Sequence, residues 1–121
     1  MSARLLLAPT GVPARLVKAL ARLAADRPGA LFPMLVVETS TSRPWSSATF
    51  DGERHRLDLR LHGSAIEVGD GLERLMAGMA DLDFGLSGQI VAEAKLLAVG
   101  VDPDPLVVAL SLTIEVLTVR D

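Results

Sequence analysis

The stretch "ERHRLDLRLH", residues 53–62, alternates with period two: His55, Leu57, Leu59 and Leu61 fall on one side, and Arg54, Arg56, Asp58, Arg60 and His62 on the other. In a pleated strand that pattern puts one face in a core and the other in water.

Upstream, residues 31–41, "LFPMLVVETST", read as a second strand, and "SRPWSSATFDG" between the two reads as a long hairpin connection ending in Asp51-Gly52, a favourable turn pair. Further back, Leu16, Leu20, Leu23 and Ala24 recur at helical spacing across residues 13–25, while Arg15, Lys18 and Arg22 occupy another stripe. "TGVP" supplies a turn and a Pro suited to the first helical position, and "DRPGA" at 26–30 ends the helix. Residues 3–8, "ARLLLA", allow an additional short N-terminal edge strand.

Downstream, Ser64 followed three residues later by Glu67 is a capping box. It opens a helix in which Val68, Leu72, Leu75, Met76 and Met79 line one side, and in which Gly69, Gly71 and Gly78 weaken the helix or admit a neighbour. Residues 100–105, "GVDPDP", form a turn, and the closing segment to residue 119 is a long strand. Its Leu106, Val108, Leu110, Leu112, Ile114 and Val116 share an apolar face. Residues 89–99, "QIVAEAKLLAV", stay ambiguous: Ile90, Ala92, Ala94 and Leu96 fit a strand, whereas Ala, Glu, Lys and Leu favour helix. The whole describes one α+β domain over residues 1–121, a mostly antiparallel sheet covered by two helices on one face.

Composition bounds the chemistry. At 121 residues with 50% apolar side chains the chain supports one core, built of Leu, Val, Ala and Met because aromatics make up only 3%. The absence of Cys removes disulfides, thiolate nucleophiles and Cys-ligated metals. A net charge of -3 argues against a strong nucleic-acid binder. The three-Leu run near the N-terminus is too short for a signal peptide or membrane span, so residence in a cytoplasm is the expected default.

The segment from Ser42 to Gly63 concentrates the lone Trp, both His and four Arg. His55 and His62 lie on opposite sides of their strand and cannot act as a pair, and His55 on the apolar face reads as a core or interface histidine. No HxxxH or HExxH spacing, GxSxG elbow, Walker lysine or GxGxxG is present, so no catalytic residue, metal or cofactor is expected. Asp81 and Asp83 read as solvated loop carboxylates. Arg43, Arg54, Arg56 and Arg60 form a modest basic patch without the stacking aromatics that single-strand binding needs. Trp45 either packs back over its own sheet or anchors a protein contact. Arg43, Trp45, Arg54, Arg56 and Arg60 are thus the candidate interface residues.

The run "FPMLVVETSTSRPWSSATFDGERHRLDLRL" at 32–61, with "DFGLSGQIVAEAKLLAVG" and the closing "LTIEVLTVRD", resembles small tail-completion or tail-terminator proteins of long-tailed bacteriophages and of phage-derived gene transfer agents. The resemblance covers about residues 30–119, rests on order and pattern, and departs at the N-terminus and in a shorter helix-to-strand link. It implies that residues 89–99 are a strand, giving four strands in the order α-β-β-α-β-β. It also implies a non-enzymatic structural protein, made in the bacterial cytoplasm and built into the virion tail. There it forms a ring, usually a hexamer, that caps the tail tube and meets head-completion proteins, with no nucleic-acid readout and no membrane. The competing expectation is a small α+β ligand-binding or dimeric interaction module unrelated to phage.

Overall fold

The computed structural model describes residues 9–81, 88–101 and 108–120. The expected strand at 3–8, Leu106 and Asp83 lie outside the described residues. Six elements follow one another among the described residues: α1 (Gly11–Ala24), β1 (Met34–Ser46), β2 (Asp51–His62), α2 (Ala65–Met79), β3 (Gln89–Val101) and β4 (Ala109–Arg120). The strands form one sheet in the order β1-β2-β4-β3, every neighbour antiparallel. The α+β class and the α-β-β-α-β-β order are as expected.

The two central strands carry the core. Leu57, Leu59 and Leu61 of β2 and Leu112, Ile114 and Val116 of β4 are all at most 1% exposed. They meet Leu16, Leu20 and Ala24 of α1 and Val68, Leu75 and Met79 of α2 in one cluster. Both helices therefore lie on the same face. Each residue burial removes apolar area worth about 25 cal/mol per Å2, which is what holds the two layers together.

The capping box forms as read: Glu67 N–H donates to Ser64 Oγ at 3.1 Å, and Ser64 N–H donates to Glu67 Oε1 at 2.8 Å. Gly71 lets α2 approach the end of α1 and the chain before β1, since a Cβ there would stand 2.6 Å from Pro33 Cγ and 3.2 Å from the Ala24 carbonyl oxygen; at Gly78 it would stand 2.6 Å from Leu23 Cδ2 of α1. Beside Gly71, Arg74 donates from Nε and Nη2 to the Ala24 carbonyl at 3.1 and 2.8 Å, satisfying one of the open acceptors at the end of α1. Met76 corrects the expected helix face. It is 54% exposed, because the stripe through Val68, Gly71, Leu75 and Met79 already faces the sheet and Met76 sits one residue, about 100°, beyond it.

Two strand readings also change. β1 runs on to Ser46, paired with Asp51, so the connection is a tight turn over residues 47–50 and not a long loop. Ser47 makes that turn: its N–H donates to the Phe50 carbonyl at 2.7 Å while its Oγ accepts from the N–H of Phe50 at 3.0 Å. Asp51-Gly52 belongs to β2. Pro44 is tolerated in the extension because β1 is an edge strand.

The ambiguous segment is a strand, Gln89–Val101, with irregularities between Val91 and Glu93 and between Leu96 and Ala98. Each inserts one residue. As a result Val91, Ala94 and Leu96 pack against the core, spaced three and two apart, while Ile90 is 53% exposed on the other face. Pairing along β4 overrides the helical propensity of "AEAKLL".

Candidate functional site

The face of the sheet away from the helices is open, and polar along the middle of β2 and the facing parts of β1 and β4. Register places Arg43 of β1 opposite Arg54 of β2, and Arg56 opposite both Thr41 of β1 and Glu115 of β4. Side chains of these five residues line a shallow cleft of about 170 Å3. Arg54 Nη1 reaches Glu115 Oε1 at 2.8 Å, an exposed pair worth little to stability. The cleft thus holds three guanidinium groups around one carboxylate.

Arg60 stands apart from that group. It lies four residues beyond Arg56 on the same face, with Asp58 between, and its Nε is 3.3 Å from Glu38 Oε1. Asp58 accepts hydrogen bonds from Thr39 Oγ1 at 2.6 Å and Thr113 Oγ1 at 2.9 Å. The Thr39 bond, then that of Thr113 and the charge of Arg56, hold its carboxyl below the usual range against the cost of burial.

Trp45 ends the same stripe of β1, two residues past Arg43, and is half-buried. Its Nε1 donates to the Thr118 carbonyl oxygen at 3.2 Å, so the indole folds back across the Gly52 position of its own sheet. One side of the ring system is tied down, the remainder faces solvent.

His55 is on the opposite, helix-covered face and only 1% exposed. Its Nδ1 is 2.8 Å from Ser42 Oγ and its Nε2 3.1 Å from Thr118 Oγ1. Since Thr118 Oγ1 donates onward to the Glu53 carbonyl, Nε2–H donates to Thr118, and Ser42 donates to Nδ1. Both ring nitrogens are satisfied in the neutral form. A Ser-His contact resembles a nucleophile and base, but none of the four described concavities is lined by either residue.

Burial pushes the His55 imidazole below its ordinary range, with the charge of Glu53 opposing. The unfolded chain titrates this group near about 6.5. Below that value the unfolded state takes up a proton that the folded state resists, so stability is full above it and falls as pH drops toward the lowered folded pKa. Urea midpoints should be lower at pH 5 than at pH 7.5, and the difference should shrink in His55→Gln. An unchanged difference would remove His55 as its source.

Among the described residues, no three His, Asp or Glu side chains are grouped closely enough to hold a metal ion. Asp81 is exposed just past α2, its N–H donating to the Gly78 carbonyl at 3.2 Å. No helix of the described residues is long and apolar enough to cross a membrane.

The structure therefore brings Arg43, Arg54 and Arg56 together, sets Trp45 beside them and leaves Arg60 with Glu38. Glu115 and Thr41 complete the cleft. Alternation assigned them to a face, but only cross-strand register shows that they meet.

Comparison with known proteins places this fold. It matches a chain in the solved structure of the virion of a native gene transfer agent (GTA) particle, over 86% of this chain and 84% of that one, with a TM-score of 0.56 and 16% sequence identity. At that identity the likeness is one of fold. No protein-family profile matches the chain, and no curated protein matches it by sequence.

Proposed function

We propose that this chain is a structural virion protein of the tail-terminator type. Its copies assemble as a ring, a hexamer, that caps the tail tube, stops its growth and provides the surface on which the head-completion proteins dock. The observation that carries this reading is the fold shared with a chain of a gene transfer agent virion along most of both lengths. The surface supports it. Phe32, Met34 and Val36 are each 38–46% exposed in and just before the edge strand β1, apolar area available to a neighbouring protein.

On this reading Arg43, Trp45, Arg54, Arg56 and Arg60 act as contact residues, no reaction is catalysed and no cofactor is used. The chain folds in a bacterial cytoplasm and ends in the virion tail. Light scattering on the purified protein, alone and mixed with tail tubes, tests it: a ring of six times the 12.8 kDa chain mass is expected. Deletion of the gene in a producing strain should leave tails of uncontrolled length and heads without tails. A stable dimer that ignores the tubes, with normal particles from the deletion strain, would favour the interaction-module reading and overturn this one.

Trp45 offers a second readout. Trp45→Ala removes the Nε1 bond to Thr118 and part of the indole packing, a loss of about 1–2 kcal/mol. Circular dichroism should stay native while ring formation drops at least about tenfold, the loss expected of an interface aromatic. Gross unfolding instead would make Trp45 a core residue.

A further inference from the structure

Two local patches on opposite sides of the domain carry opposite charge: the cleft on the sheet, and the outer stripe of α2, beside which α1 exposes Arg15, Lys18 and Arg22. On the open sheet face, the cleft gathers Arg43, Arg54 and Arg56 around Glu115, and Arg43 has no ion-pair partner among the described residues. On the far side, the outer stripe of α2 exposes Asp70 and Glu73 at helical spacing between Ile66, 75% exposed, and Met76, 54% exposed. The helix has a single basic residue, Arg74, and it is turned into the Ala24 carbonyl. An acidic stripe with apolar ends thus backs a basic cleft flanked by a half-exposed Trp.

We propose that the outer stripe of α2 of one copy docks on the open sheet face of the next, Asp70 and Glu73 meeting Arg43, Arg54 and Arg56 while Ile66 and Met76 flank them against Trp45. This contact rests on the ring reading and specifies how neighbouring subunits touch. Geometry makes it directional. The two surfaces lie on opposite sides of a two-layer domain, so one pair of copies cannot make the contact twice about a two-fold axis. Each subunit offers its helix to one neighbour and its sheet to the other, and a repeated contact of that kind makes a ring where the rotation between neighbours closes and a filament where it does not. Copies with a net charge of -3 repel one another at long range, so local complementarity has to orient them.

Charge reversal tests the contact with the full chain. One variant carries Arg43→Glu and Arg56→Glu, the other Asp70→Arg and Glu73→Arg; all four positions are exposed, and circular dichroism verifies the fold. At a concentration where the wild type forms rings, each variant alone should be monomeric by light scattering. Mixed in equal amounts they should recover the wild-type mass as an alternating assembly, since each acidic face then meets a basic one. Raising ionic strength from about 0.05 M to about 0.5 M should weaken the wild-type ring, because screening shortens to under about 10 Å. Variants that assemble like the wild type overturn the contact and leave the ring reading standing, as do variants that dissociate but are not rescued by mixing. A wild type that stays monomeric with and without tail tubes overturns the ring reading and this contact with it.

Discussion

Gly52→Val should abolish stable folding, and Gly52→Ala should lower the urea midpoint by an amount corresponding to at least about 3 kcal/mol of the 5–15 kcal/mol that such a domain has. Gly52 is buried in β2, opposite Trp45 on β1 and Val119 on β4. A Cβ there overlaps the Thr118 carbonyl oxygen and stands 2.9 Å from Trp45 Nε1. A flexible side chain could swing away from such an intruder, but a carbonyl fixed in the ladder between β2 and β4 cannot. The strands must part locally or the indole must leave its bond to that same carbonyl. Ordinary overpacking costs about 1–3 kcal/mol when side chains can yield, so an obstacle made of backbone sits above that range. If Gly52→Ala proves as stable as the wild type, the close approach of the three strands at Trp45 is wrong.

The same residue shows where sequence reasoning went astray. Asp51-Gly52 has the composition of a hairpin turn, yet here the glycine answers to a crowded strand, and a serine with no Gly or Asn beside it closes the hairpin through its hydroxyl. What was legible was whatever repeats without interruption. β2 and β4 alternate cleanly because both are central, paired on two sides and buried on one face, and the Ser64/Glu67 cap is a purely local bond pattern. β3 hid its identity for a physical reason: two inserted residues spaced its core side chains irregularly, so neither the strand nor the helix period fits. The candidate site was half legible. Alternation put Arg54, Arg56 and Arg60 on the wet face, but whether they converge depends on pairing between distant segments. That register brought Arg43 and Glu115 to the first two and left Arg60 to Glu38. That Asp70 and Glu73 lie on the side opposite the arginines likewise depends on how α2 packs on the sheet.

Leu59→Ala should lower stability by about 2–5 kcal/mol and the melting temperature by roughly 10–20 °C, whereas Met76→Ala should change folding stability by less than about 0.5 kcal/mol. Leu59 is fully buried at the middle of β2, opposite Val37 on β1 and Leu112 on β4, under both helices. Truncating it removes transfer energy and leaves a void that neighbours on three elements cannot all collapse to fill. Met76 was expected on the apolar side of its helix with Val68, Leu72, Leu75 and Met79, but it faces out from α2. Measured at a concentration where the chain is monomeric, the two substitutions therefore separate folding from association. Leu59→Ala should weaken the fold itself, and with it everything that depends on a folded subunit. On the ring reading, Met76→Ala should leave thermal unfolding of the monomer unchanged while reducing assembly, because what it removes is exposed surface proposed to meet a neighbour. Equal losses of stability at the two positions would put Met76 in the core and take the docking stripe on α2 away.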